Sequence, residues 1–218
     1  MADFPSLYWK IIYGWTAVSL AIFAALGAWG LVGFTLSYGV IFGGTMAEAH
    51  PMARAVLRSA GRNGPVFFLA LAAAWSCLEE LWCNGFGCVL AIHSLWADLV
   101  FVGAVFTAWL ASWRFVLARR YRFRSGEAII LGSLVGVFFE LVLPGHFFTQ
   151  PLGALLLAPL DILVYRGLFL LPMSIIDFSG ARETPVKYVA ALAVPIAAAG
   201  AVAVVVFIVF SLIGAPLI

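Results

Sequence analysis

The sequence predicts an all-α membrane domain: a polytopic bundle of six transmembrane helices, or seven if residues 11–46 form a hairpin. Three observations predict it. Hydrophobic residues make up 65% of the 218 positions and charged ones 10%, with a mean hydropathy of +1.11, whereas soluble domains carry about 25% charged residues. Such a surplus cannot be hidden in one water-soluble core. The apolar residues also fall into long runs, near or above the roughly 20 that a span requires. Finally, ten of the twelve cationic residues lie in three loops that alternate with uncharged links. Residues 1–218 read as a single integral membrane domain, with no room for a soluble catalytic domain.

Tyr8 and Trp9 are residues that favour a membrane interface. The run from Ile11 to Met46 is long for one span and short for two; one tilted or bent helix is expected, bending at Gly27, Gly30 or Gly33, with a tight hairpin as the alternative. The run continues past the 7–15 residues of a normal signal core, so no cleavage is expected. His50, Arg54, Arg58 and Arg62 form a first basic loop. Pro65 suits the first turn of a second helix, 65–83. Cys83 to Cys88 is a glycine-containing turn, followed by a third helix over 89–113. Arg114, Arg119, Arg120, Arg122 and Arg124 form a second basic loop. A fourth helix spans 127–148, a fifth 152–172 and a sixth 188–213, with Asp177, Arg182, Glu183 and Lys187 between the last two. By the positive-inside rule the three basic loops are cytoplasmic and the chain is a multi-pass protein of the cell membrane. Six spans put both termini outside; seven put the amino terminus inside.

The most informative stretch is Gly132 to His146. Gly132, Gly136 and Glu140 are four residues apart and fall near one helical face. The glycines admit a close helix, and an ionisable residue inside a span is a functional hypothesis by default. At about 1.5 Å per residue, Asp98, Glu140 and Asp161 each lie roughly 12–14 Å below the outer ends of their predicted helices. Glu79 and Glu80 sit one turn below the end of theirs. Charge at mid-bilayer costs about 2.5–3.5 kcal/mol, so acids at one level on neighbouring helices point to a shared pocket: Glu80, Asp98, Glu140 and Asp161, with Arg166 as the available cation. Simpler roles compete. Glu79 or Glu80 can be interfacial, Asp161 can pair with Arg166, and Asp98 can be held by hydrogen bonds alone.

His93 and His146 fall near the outer ends of the third and fourth helices. With Glu80 and Glu140 they would suit a divalent metal, or between them a haem. No cofactor is expected otherwise. His50 is expected in solvent. Cys83 and Cys88 would form a disulfide in an oxidising compartment, and Cys77 is expected to be packing.

Glu79-Glu80-Leu81-Trp82-Cys83-Asn84-Gly85 resembles the EExxxR motif of the CAAX-protease family of intramembrane proteases. Asn84 stands where that family has arginine, and its FxxxH and HxxxN motifs are absent. The resemblance covers seven residues and implies intramembrane hydrolysis; it does not assign membership.

The leading functional expectation is transport or conduction of a proton, cation or small cationic solute, with Asp98, Glu140 and Asp161 as relay or ligand groups. Pro159 frees a helix carbonyl near Asp161. An intramembrane hydrolase using Glu80, Glu140, His93 and His146 is the second expectation. A non-catalytic subunit anchoring haem or quinone is the third. The expected partners are the lipid bilayer, a small ion or solute, and either further copies of the chain or a larger membrane complex. The basic runs carry no nucleic-acid signature, and no glycine-rich phosphate loop follows a strand, so neither nucleic acid nor nucleotide is expected.

Overall fold

The computed structural model describes residues 6–43, 45, 52, 55, 61–87, 92 and 94–214. These residues are almost entirely helical. We label the helices α1 (Ser6–Ala25), α2 (Trp29–Phe34, widening into a π-helical stretch Thr35–Phe42), α3 (Gly64–Gly85), α4 (Leu95–Arg120, with a π-helical stretch Trp113–Leu117), α5 (Ser125–Val137, with a π-helical turn Phe138–Val142), α6 (His146–Thr149), α7 (Pro151–Ser174) and α8 (Val186–Ile213). Among the described residues, four helices are long and apolar enough to cross a membrane: α3, α4, α7 and α8.

The bent helix expected over 11–46 is corrected. Gly27 takes φ +79° between α1 and α2, a conformation glycine adopts without a Cβ clash. The arms on either side run in opposite directions along α7. On α1, Thr16 lies at Pro159 and Tyr13 at Arg166; on α2, Gly39 lies at Leu163 and Gly43 at Gly167. The chain therefore reverses. Gly30 and Gly33 are not bends: a Cβ at either would collide with Phe86, which closes over the reversal from the end of α3.

α7 is the spine. From Ala158 to Ser174 every residue is buried except Asp161 and Arg166. α5 packs on it through its glycines: a Cβ on Gly132 would press on Phe169 and Met173, and one on Gly136 would overlap the Tyr165 ring. The rings of Phe106, Trp109 and Phe169 gather round Tyr165. On the other flank Phe34, Tyr38, Phe42, Trp75 and Trp82 form a continuous ring stack between α2 and α3. α8 is the outermost helix; Val189, Val204, Val205, Ile208 and Leu212 are all exposed, the surface that lipid can cover.

One end of the bundle is cationic. Residues 121–122 bridge to Ser179 and Arg182, and Lys187 is buried there. It is not in a loop, as expected, but in the first turn of α8, where it donates to the Arg122 carbonyl and pairs with Glu127 at 3.1 Å and Glu183 at 2.7 Å.

Candidate functional site

Three helix ends differ from the sequence expectation, and each moves an acid. α4 begins at Leu95 rather than near 89, which puts Asp98 in its first turn. Its Oδ1 accepts the Ile92 backbone N–H at 2.8 Å, satisfying a donor just before the helix. The expected fourth helix, 127–148, breaks before 146. Pro144 lacks an N–H to continue the ladder, and Gly145 turns the chain with φ +82°. The last turn before the break is π-helical and carries Glu140. Glu140 still reaches the same neighbour as Gly136, the Tyr165 side chain of α7. Glu140 is exposed at the edge of the bundle rather than enclosed, with Oε1 turned inward to accept the Tyr165 hydroxyl at 2.8 Å. α3 continues to Gly85, leaving Glu79 buried and Glu80 half-buried.

Five acids of α3, α4, α5 and α7 fall in one region of the bundle. Glu79 interacts electrostatically with Glu140 and Asp98. Glu80 interacts electrostatically with Glu79, Asp98 and Glu140. Asp161 interacts with Glu140. The Tyr165 hydroxyl lies in the field of Glu140, Glu79 and Asp161, and Tyr38 in that of Glu79. Asp98 Oδ2 and Asp161 Oδ2 are buried and have no hydrogen-bond partner.

No described cation offsets these charges. Arg166 does not pair with Asp161: it donates to the Tyr13 hydroxyl at 2.7 Å and lies over the Trp9 ring at 4.8 Å. Five residues along a helix is too far round for the pair, and the aromatic face of α1 is nearer. The carbonyl at Pro159 is engaged by Thr16 at 3.4 Å.

The histidine expectations divide. His93, His50, Arg54, Arg58 and Cys88 lie outside the described residues. His146 is exposed on the separate helix α6. Among the described residues no group of three His, Cys, Asp or Glu side chains is arranged to hold a metal ion. Cys77 is a free thiol; the expected bridge from Cys83 falls on Cys88.

Sequence reasoning missed Tyr165 and Tyr38. Tyr165 is one turn beyond Asp161, on a helix whose neighbours are nearly all aliphatic or phenyl. That spacing was the available signal: a hydroxyl four residues from an intramembrane acid. Compared with known protein families, curated proteins and solved structures, the chain matches none.

Proposed function

We propose that this is a multi-pass membrane protein that conducts or transports a proton or a small cation through the acidic site between α3, α4, α5 and α7. In this reading α1, α2, α3, α4, α5, α7 and α8 are seven spans, and the cationic end faces the cytoplasm. The observation that carries the proposal is five acids on four helices, each in the electrostatic field of at least one other, with no described cation ion-paired to any of them. A cluster kept only for packing would be replaced by apolar residues at lower cost. The arrangement also has direction. Glu140 sits at the edge, where it can exchange with the surroundings. Behind it the Tyr165 hydroxyl can pass a proton inward while taking one up, and Asp161, Glu79, Glu80 and Asp98 are all less exposed than Glu140. For a cation other than a proton the same oxygens would serve as ligands as the protons leave.

Purified protein reconstituted into liposomes tests this. With a pH gradient imposed and a lumenal pH dye, we expect faster equilibration than in protein-free liposomes, or a flux that appears only with an added cation such as sodium, potassium or a small organic ammonium. Rates equal to protein-free liposomes under every gradient would contradict the proposal.

A further inference from the structure

At the cationic end, remote from the acids, a cavity of about 640 Å³ opens between α4 and the segment after α7. Its floor is apolar, with Pro65, Phe115, Ile175 and Ile176. Its charged walls are Arg114 and Arg119. Both guanidinium groups are held on aromatic faces: Arg114 lies 4.7 Å from the Phe68 ring centre and 5.7 Å from that of Phe115, and Arg119 lies 5.7 Å from Phe115. The two cations are in each other's field. Among the described residues neither is ion-paired, in contrast to Lys187 nearby, which has two carboxylates. Asp177 also lines the cavity but pairs with neither arginine, so the lining keeps a net positive charge.

Two like charges held side by side on rigid ring supports cost free energy unless an anion joins them, and guanidinium is well matched to phosphate. The apolar floor rules in favour of an amphiphile over a bare ion. The cavity lies where the apolar helix α4 ends in a run of arginines, the level of lipid headgroups. We propose that this cavity binds the phosphate headgroup of an anionic phospholipid, with Arg114 and Arg119 on the phosphate and the glycerol and upper acyl carbons against Phe115, Ile175 and Ile176. The proposal is independent of what the acidic site carries.

The test is native mass spectrometry of the full-length protein released from micelles containing equal amounts of phosphatidylglycerol and phosphatidylcholine. We expect retained phosphatidylglycerol to exceed phosphatidylcholine roughly tenfold or more, in line with the attraction of two basic side chains at a membrane surface. Arg114→Gln with Arg119→Gln should bring the ratio near unity, while Arg120→Gln, an exposed arginine outside the cavity, should leave it unchanged. Equal retention of the two lipids by the unaltered protein would overturn the proposal without recourse to any variant. So would an equal loss in Arg120→Gln, which would mean diffuse attraction. Full displacement of the lipid by millimolar inorganic phosphate would overturn it in favour of a free-phosphate site.

Discussion

Glu140→Gln separates a proton-carrying role from a structural one. The amide keeps an oxygen to accept the Tyr165 hydroxyl, 2.8 Å away in the native protein, but it cannot take up or release a proton. We expect the variant to fold and melt like the parent. Tyr165→Phe removes the hydroxyl and leaves the ring on Gly136. Its expected cost is about 0.6–1.7 kcal/mol, the range for a hydrogen bond between membrane helices, read as a small fall in melting temperature. These residues were unequally legible in the sequence. Glu140 and Asp161 stand out because charge is rare in apolar runs. Tyr165 does not, because an aromatic residue in such a run reads as packing, and only the folded geometry sets its hydroxyl on an acid. The exposure of Glu140 was hidden as well: nothing local in Phe138–Val142 announces a π-helical turn at the edge of the bundle.

At the scale of elements, the α5–α7 contact was readable, and the α1–α2 reversal was legible only as the hairpin alternative to a bent helix. Gly132 and Gly136 mark a close-packed face by spacing alone, and the partner proved to be α7. Gly136→Leu would drive four carbons into the Tyr165 ring. We expect destabilisation on the order of 3 kcal/mol, seen as loss of monodisperse protein in detergent, whereas Glu140→Leu should assemble normally. The reversal at Gly27 was hard to tell from a bend because its turn contains no polar residue; Leu26-Gly27-Ala28 differs from its flanks only by a glycine, and the sequence has several others nearby. Asp98 was placed too far into its helix because Val89 to Ile92 are apolar enough to read as helix, although α4 begins only after His93 and Ser94. At the cationic end, Lys187→Met would leave Glu127 without its partner. The expected loss is about 3 kcal/mol, the low end for breaking a buried pair, measured as a drop in thermal midpoint that Lys187→Arg largely restores.

Across the whole molecule, charge sorts along the bundle. Pro65, Arg114 to Arg124, Ile175 to Arg182 and Lys187 meet at one end, and the five acids of the candidate site gather away from it. The one-sided placement of arginine made this polarity legible before any fold was known. The gathering of the acids depended on which helices neighbour which, and that is a property of side-chain packing round α7. A cysteine placed at position 120 should label with an impermeant thiol reagent only after the cells are opened, and one at position 150 in intact cells; the reverse pattern would invert the orientation. The protein from an oxidising compartment is also expected to carry a Cys83–Cys88 bridge, visible as a 2 Da gain in mass on reduction, about one hydrogen per sulfur.

The most direct measurement is flux through liposomes holding, in parallel, the unaltered protein, Glu140→Gln, Glu80→Gln and Glu183→Gln. Glu183 is the control, an acid at the cationic end whose partner is Lys187. The account requires Glu140→Gln and Glu80→Gln to lose at least about 90% of the protein-dependent flux, roughly 1.4 kcal/mol in barrier or affinity, while Glu183→Gln retains it. Full flux in both site variants, at equal reconstitution, would show that ions do not pass through the acidic site.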